Sequence, residues 1–207
     1  MQTWLIGVDE AGRGPLAGPI AVGAVLVPLD FDWELLSEVG DSKQLSQEQR
    51  ERVYAQAKQL RQAGRLRFSV AMSSAQMIDA VGIVPAIKRA MARALQSVLR
   101  QEGQESLLHP EDVLVKLDGG LVAPKQYVRQ ETVIRGDQTE LSIGLASIVA
   151  KVQRDRYMGR LAKRADLAPY DFAQHKGYGT KAHRAAIERY GLSSQHRQSY
   201  CRNLRLV

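Results

Sequence analysis

The chain has 207 residues and a mass of 23.0 kDa, the size of one domain or of one domain with an appendage. Its composition is 44% hydrophobic and 25% charged with a single cysteine, which excludes a disordered chain, a disulfide scaffold and a multi-cysteine zinc site. The longest apolar stretch, residues 19–28, is about half as long as a membrane-spanning helix, and the first residues lack the features of a signal peptide. We therefore expect a cytoplasmic protein without membrane contact.

The hydrophobic pattern predicts five strands and four principal helices. In chain order, the predicted strands are residues 3–8, 20–27, 66–72, 113–117 and, more weakly, 131–135. The predicted helices are residues 46–63, which open with capping-box spacing, then 85–98, 141–164 and 180–190. Three successive strands followed by strands that alternate with helices indicate an α/β protein with a mixed sheet covered by helices.

The positive charge is concentrated in the last quarter of the chain. Residues 151–207 contain 13 Lys and Arg against 4 Asp and Glu, whereas residues 1–150 contain 16 against 18. Lys and Arg bind polyanions because they replace the counterions of phosphates. Charge alone is explained equally well by a helix face that is exposed to solvent. We expect a core over residues 1–150 and a basic helical extension over residues 151–207, packed together as one compact unit.

Acidic residues close two of the predicted strands. Asp9 and Glu10 follow the first strand and Asp118 ends the fourth, so the three acids meet at one end of the sheet if these strands are neighbours. Asp137 precedes the long helix and could join them. An all-oxygen cluster suits Mg²⁺ or Mn²⁺. The alternatives are structural: Asp118 is typical of a turn, and Asp137 or Thr139 could cap the helix.

A glycine-rich segment follows the first pair of acids. The spacing of Gly12, Gly14 and Gly18 differs from the dinucleotide fingerprint, and a strand rather than a helix follows, which excludes a Rossmann site. Adjacent side chains on a regular strand point to opposite faces, so Asp9 and Glu10 serve one site only if the chain bends. Gly12 permits such a bend.

Motifs along the whole chain resemble those of the bacterial type 2 ribonucleases H, the ribonuclease HII family. The matching segments, in order, are residues 8–19, 41–43, 117–119, 136–137, 146–152, 174–180, 183, 196–197 and 199–200. The resemblance implies a ribonuclease H-like mixed five-stranded sheet flanked by helices, with a basic helical C-terminal extension. It also implies an endonuclease that cuts the RNA strand of RNA–DNA hybrids and single ribonucleotides embedded in duplex DNA.

The resemblance assigns roles to individual residues. The implied catalytic acids are Asp9, Glu10, Asp118 and Asp137, of which the first three bind metal. The implied substrate-binding residues are Gly12, Arg13, Gly14, the phosphate-contacting Lys43 and the junction-sensing Tyr178. Two Mg²⁺ or Mn²⁺ ions would support in-line attack on the phosphodiester, giving 3′-hydroxyl and 5′-phosphate ends. The chain departs from the family pattern at Gly40, Gly120, Gly144 and Tyr200.

The residues themselves agree with this chemistry. Choosing a ribonucleotide requires sensing its 2′-hydroxyl, and backbone groups beside glycines can approach the sugar closely. An aromatic ring at Tyr178 could stack on the neighbouring deoxyribose. His175, His183 and His196 lack metal-ligand spacing, so we expect them to hydrogen-bond locally or to touch phosphate.

Two other functions remain possible at this level. A DNA junction nuclease of the same fold would use the same acids on branched DNA. A non-catalytic protein that binds RNA–DNA hybrids would use them only for structure. The expected partners are hybrid duplexes and DNA that contains ribonucleotides, and nothing in the sequence requires more than a monomer.

Overall fold

A five-stranded sheet forms the centre of the computed structural model, which describes residues 4–40, 45–100, 108–202 and 204. Lys43 lies outside these residues. The strands are β1 Trp4–Ala11, β2 Ile20–Pro28, β3 Arg67–Ser73, β4 Val113–Asp118 and β5 Gln130–Val133. The α-helices are α1 Gln47–Gln62, α2 Ala75–Val81, α3 Ile83–Leu99, α4 Gly136–Thr139, α5 Leu141–Leu161, α6 Phe172–His175, α7 Lys181–Tyr190 and α8 Gln198–Cys201. Short 3₁₀ turns occur at Trp33–Val39, Pro110–Asp112 and Ala168–Tyr170.

The strand order places the first strand at the centre of the sheet. The order is β3-β2-β1-β4-β5, in which β1 pairs antiparallel with β2 and parallel with β4. β2 and β3 are antiparallel, and β4 and β5 are parallel. The carboxyl ends of β1 and β4 therefore lie side by side, so residues that are more than a hundred positions apart in sequence meet at one edge.

Helices cover both faces of the sheet. Alternate residues of β1, such as Ile6 and Val8, pack against the apolar face of α3. Leu5, on the opposite face, packs with residues of α1 and α5. This arrangement confirms the expected mixed sheet flanked by helices, and it follows from strands whose successive side chains are buried on opposite sides.

Helix α5 lies directly on the two central strands because glycines leave it room. A Cβ atom at Gly7 would lie 2.2 Å from the backbone of Ser142, and one at Gly23 would lie 2.3 Å from the carbonyl oxygen of Ala146. This close approach carries α5 across the end of β1 that bears Asp9. The helix also runs through residue 150, so the border expected between core and extension falls inside it.

The elements follow the sequence pattern with a few differences at their ends. The capping box at Ser46 is confirmed, since its hydroxyl accepts from Gln49 N while the Gln49 side chain accepts from Ser46 N. Helix α5 ends at Leu161 because hydrogen bonds of i→i−3 spacing follow it, for example from Lys163 N to the Arg160 carbonyl oxygen. The short helix α2 and the 3₁₀ turns have too few residues to show a period in the sequence.

The C-terminal segment builds a small core of its own against the glycine-rich segment. Leu16 and Ala17 pack with Met158 and Phe172, together with neighbouring apolar residues of α5 and α7. A single β-bridge joins Ala17 to His196. Residues after α5 therefore hold the segment that follows β1 in place. In the part of the chain that the structure describes, no helix combines the length and apolarity needed to cross a bilayer.

Candidate active site

Two acidic residues lie beside each other at the carboxyl ends of β1 and β4. Val8 pairs with Leu117, so Asp9 and Asp118, the next residues, are neighbours on parallel strands. The Asp9 side chain is only 5% exposed, and it accepts hydrogen bonds from the Ser147 hydroxyl on α5 and, at 2.7 Å, from Glu10 N. The strand pairing thus brings together two of the predicted acids beneath a helix.

The environment of Asp9 opposes its negative charge. Burial, followed by the charge of Glu10 and, more weakly, that of Asp118, raises the pKa of Asp9 to about 8. The Asp9 carboxyl therefore stays protonated at neutral pH unless a cation neutralises the negative charge around it. The oxygen-only donor set fits a hard divalent cation such as Mg²⁺ or Mn²⁺.

Glu10 is turned towards an arginine. Its Oε1 lies 2.9 Å from Nη2 of Arg13, and its side chain is 13% exposed while that of Arg13 is 56% exposed. Among the described residues, no three acidic, histidine or cysteine side chains converge closely enough to form a ready-made metal cage.

Asp137, which belongs to the short helix α4, lies next to Asp118 at the end of β4. Its backbone N–H donates to Asp118 Oδ1 at 3.4 Å, and its side chain is 1% exposed. Asp137 sits inside α4, while the residue at the N-cap of α5 is Glu140, so the helix-capping alternative does not apply to Asp137. A Cβ at Gly136 would lie 2.5 Å from the Ile143 side chain, so the small residue lets α4 pack this closely.

A pocket of about 360 Å³ opens beside the acids. Its lining contains three kinds of group: the acid Glu10, the glycine loop (residues 12–14), and the side chains of Arg50, Ser147, Lys151 and Tyr178. A carboxylate, several cations and accessible backbone therefore face one space. That combination suits a sugar–phosphate ligand.

Two buried arginines shape the glycine loop from below. Arg197 donates to the carbonyl oxygens of Gly12, Arg13 and Gly18 at 2.6, 2.9 and 3.0 Å, and the Tyr200 hydroxyl donates to the Arg13 oxygen at 3.2 Å. Burial lowers the pKa of Arg197 to about 10, so it remains charged at pH 7. With the loop carbonyls held from below, the loop keeps one backbone conformation beside the pocket.

Arg154 connects the segment that follows the glycine loop to the segment that carries Tyr178. It donates to the carbonyl oxygens of Pro19, Ala17 and Lys176 at 2.9, 3.2 and 3.1 Å. Gly12 has φ of 96°, and a Cβ there would lie 2.1 Å from Arg154 Nε. Glycine is therefore required at this position for two reasons, its backbone conformation and the arginine beneath it.

Tyr178 also lines the pocket. The residue is 42% exposed, and the centroid of its ring is 5.5 Å from Lys151 Nζ and 5.8 Å from Arg154 Cζ. Gly177, with φ of 85°, packs so closely on Ala17 that a Cβ would lie 2.4 Å from its carbonyl oxygen. The ring is thus presented to solvent by a backbone that is fixed on both sides.

Several residues of the site were not assigned a role from the sequence. Ser147 and Lys151 are four positions apart on α5, a spacing that places both on one helix face and that could have identified them once Asp9 was placed. The burial of Arg154 and Arg197 has no local signal, because their partners are carbonyl groups distant in sequence. These two arginines belong to the basic segment but cannot reach a phosphate.

The chain is similar to known proteins along nearly its whole length. The family model described as Ribonuclease HII matches residues 6–203. The ribonuclease HII of Thermosynechococcus vestitus is 42% identical over 200 residues, which cover 97% of this chain and 85% of that protein. The ribonuclease HII of Bacillus anthracis is 40% identical over 198 residues, which cover 96% of this chain and 69% of that protein.

Solved structures agree on the fold. A chain in the PCNA:RNase HII complex from Archaeoglobus fulgidus has a TM-score of 0.70 at 24% identity. The aligned residues cover 98% of this chain and 96% of that chain. The ribonuclease H2 of Pyrococcus horikoshii has a TM-score of 0.64 at 23% identity, with 95% and 93% coverage. At these identities the structures show a shared fold alone.

Proposed function

The chain belongs to the ribonuclease HII family, whose members are endoribonucleases that act on RNA–DNA hybrids. From this premise we propose that it also cuts at single ribonucleotides embedded in duplex DNA. The proposed products carry 3′-hydroxyl and 5′-phosphate ends. One observation carries the proposal: Asp9 and Asp118 are adjacent on β1 and β4, beside a pocket that the glycine loop and Tyr178 line. Acidic residues that can serve in phosphodiester hydrolysis thus lie beside backbone groups that can contact a sugar.

We propose that Asp9, Glu10 and Asp118 hold the divalent cations, Mg²⁺ or Mn²⁺, on which the activity depends. Two such ions would supply an activated water and neutralise the charge that develops on the phosphate. Asp9, with its pKa raised to about 8, would give up its proton when a cation enters. Glu10 would exchange Arg13 for the cation, which frees the arginine to face a phosphate.

Asp137 is proposed as the fourth catalytic acid. It is buried at the side of Asp118, and its backbone N–H points at the Asp118 carboxylate. From this position it would complete the acidic site beside the three carboxylates that would hold the cations. Its short helix α4 is fixed by the close contact of Gly136 with Ile143.

The glycine loop is proposed to recognise the 2′-hydroxyl. Its carbonyls at Gly12 and Arg13 are bound from below by Arg197, so a fixed backbone faces the pocket. Around Gly14 the structure leaves open space, since a Cβ there would meet no atom within 4 Å. A ribose can therefore approach this backbone closely, and the 2′-hydroxyl distinguishes it from a deoxyribose.

Tyr178 is proposed to stack on the deoxyribose that follows the ribonucleotide. The half-exposed side chain and the cation Lys151 close to its ring suit a nucleotide that brings both a flat sugar face and a phosphate. The family's phosphate-contacting lysine corresponds to Lys43. The exposed bases of α7, among them Lys181 and Arg189, are proposed to hold the duplex backbone.

Three substrates separate this function from its alternatives. A duplex with one embedded ribonucleotide, an all-DNA duplex and a branched DNA are each incubated with Mg²⁺ and with a chelator. We expect cutting of the first substrate alone, and only with metal. We propose that the enzyme acts as a monomer in the cytoplasm. Cutting of branched DNA would favour a junction nuclease, and binding without cutting would favour a structural role for the acids.

A further inference from the structure

Three histidines form a buried cluster beneath Tyr178, outside the acidic site. His183 and His196 are 0% and 3% exposed, and His175 is stacked on His183 with the ring centroids 4.2 Å apart. Phe172 closes the cluster, with its ring at an angle of 88° to that of His183. Each ring hydrogen-bonds locally, which is one of the two outcomes that the sequence allowed, and neither phosphate contact nor metal binding is needed to explain their burial.

The hydrogen-bond partners of the ring nitrogens fix the tautomer of the three histidines in the cluster. Backbone N–H groups can only donate and carbonyl oxygens can only accept. Ser193 N donates to His196 Nδ1 at 2.9 Å, so the proton of neutral His196 is on Nε2. That Nε2 lies 3.0 Å from His183 Nε2, which must therefore accept, leaving the proton of His183 on Nδ1.

The resulting relay ends at the backbone of Tyr178. His183 Nδ1–H donates to the Tyr178 carbonyl oxygen at 2.9 Å. Tyr178 N in turn donates to the His175 carbonyl oxygen at 2.9 Å, and His175 Nδ1 accepts from Gly177 N at 3.1 Å. Both backbone groups of Tyr178 are thus tied to histidines of the cluster.

The rings are neutral at physiological pH, as the relay requires. Burial lowers the pKa of His183 and of His196 to about 4, and burial also lowers the pKa of His175. A second proton on the His183–His196 pair would place two donors face to face and break the bond between them. Hydrogen bonds of this kind, enclosed among apolar rings, define one conformation more sharply than exposed ones.

We propose that the His196–His183 relay is a positioning device for Tyr178. Together with the Thr180 N–H, which donates to the same oxygen at 2.8 Å, the relay fixes the Tyr178 carbonyl and so holds the ring over the pocket. The proposal rests on the proposed role of Tyr178 in reading the sugar next to the ribonucleotide. The histidines touch no substrate and act only through the tyrosine. They would therefore determine which substrate is chosen and leave the acidic site unchanged.

The relay itself is tested without any activity. Nitrogen-15 NMR of histidine-labelled protein at pH 7 is expected to show the Nδ1–H tautomer for His183 and the Nε2–H tautomer for His175 and His196. A charged ring, or the opposite tautomer at His183, would overturn the relay. The NMR result tests the relay independently of catalysis. A wild-type protein that cuts neither an embedded ribonucleotide nor a long RNA–DNA hybrid would overturn the proposed function and leave the NMR test of the relay valid.

The purpose of the relay is tested with two His183 variants. His183→Phe keeps the aromatic shape but donates no hydrogen bond, whereas the amide of His183→Asn can place an N–H near the position of Nδ1. His183→Phe is expected to lower kcat/KM for an embedded ribonucleotide about five- to tenfold, the effect of losing one buried hydrogen bond. The loss on a long RNA–DNA hybrid should be smaller, and His183→Asn should restore most of the activity. The exposed His109, substituted by Phe, is the matched control.

A double-mutant cycle shows whether His183 acts through Tyr178. In a Tyr178→Ala background, His183→Phe is expected to cause no further loss on the embedded ribonucleotide, because the group that it positions is gone. Additive losses, or equal losses on both substrates without rescue by His183→Asn, would mean that the histidines only support the fold.

Discussion

Replacing Asp9 by Asn is expected to change stability and activity in opposite directions. Burial, with the charges of Glu10 and Asp118, raises the pKa of Asp9 from 3.8 to about 8. Between these pH values the metal-free folded protein keeps a proton on Asp9 that the unfolded chain releases. The stability that this proton contributes is therefore fully present below the pKa of Asp9 in the unfolded chain, and it is lost as the pH rises through the pKa of Asp9 in the folded protein. Asparagine has nearly the same shape and no charge, so it removes this loss.

The size of the effect follows from the pKa difference. Each unit of difference corresponds to about 1.4 kcal/mol, so a shift of about 4 units sets a ceiling of about 5–6 kcal/mol at alkaline pH. We expect metal-free Asp9→Asn to be more stable than the wild type by a few kcal/mol at pH 8. At pH 6 the advantage should be smaller by about 2 kcal/mol, because less of the proton-linked loss has then occurred.

Urea unfolding in the presence of a chelator, at pH 6 and pH 8, measures both values. The buried histidines also titrate, but they are common to both proteins and cancel in the difference. Asp30→Asn, which removes an exposed charge at the opposite end of the sheet, is the control. Saturating Mg²⁺ should stabilise the wild type more than the variant, since only the wild type has the full ligand set.

An Asp9→Asn protein that is no more stable than the wild type, or whose advantage does not change with pH, would refute the electrostatic reasoning. Cleavage by the variant at the wild-type rate would refute its place among the metal ligands. The two results are independent, because the first is measured without metal and the second with it.

Four further outcomes are expected. Asp118→Asn should abolish cleavage while hybrid binding and folding stay nearly intact, and substantial Mg²⁺-dependent turnover by the folded variant would contradict the metal-site proposal. Tyr178→Phe should keep much of the activity, whereas Tyr178→Ala should lose about 1–3 kcal/mol of stacking, mainly on a single ribonucleotide followed by DNA; equal losses in kcat/KM on a long hybrid would place junction sensing elsewhere. Reversing the charges of Lys181 and Arg189 should weaken duplex binding and reduce the slope of log K against log salt by about 2, and an unchanged slope would mean a solvated face. Arg197→Lys should lower the preference for ribonucleotide over DNA, because an ammonium lacks the planar fork with which Arg197 reaches the separated carbonyls of Gly12, Arg13 and Gly18; unchanged discrimination in a competition assay would show that the loop keeps its shape unaided.

The strands that carry the acids could be predicted because they depend on local patterns, whereas the meeting of the acids was expected only if the two strands are neighbours. Val113, Val115 and Leu117 alternate with Leu114, Lys116 and Asp118, so the strand and the face of Asp118 follow from a period of two. The same pattern ends the first strand near Asp9. Once the two strands are neighbours, the meeting of their acids needs no further information.

The support of the site could not be predicted, because its partners are distant in sequence and belong to the backbone. Arg197 reads as one more cation of a basic segment, yet it is buried against carbonyls of residues 12, 13 and 18. The ion pair between Glu10 and Arg13 is equally hidden, since it depends on how the chain turns after β1. The tautomers of the histidines follow only from which backbone groups meet their rings.

The most direct test of the account is the structure of the Asp137→Asn variant crystallised with Mn²⁺ and a DNA duplex that contains one ribonucleotide. The variant keeps all three proposed metal ligands, so the anomalous signal of manganese locates the ions. We predict manganese between the scissile phosphate and the carboxylates of Asp9 and Asp118, with Glu10 released from Arg13 and the ribose 2′-hydroxyl against the glycine loop. Manganese bound elsewhere, or a ribose that lies away from residues 12–14, would contradict the assignment of this edge of the sheet as the catalytic centre.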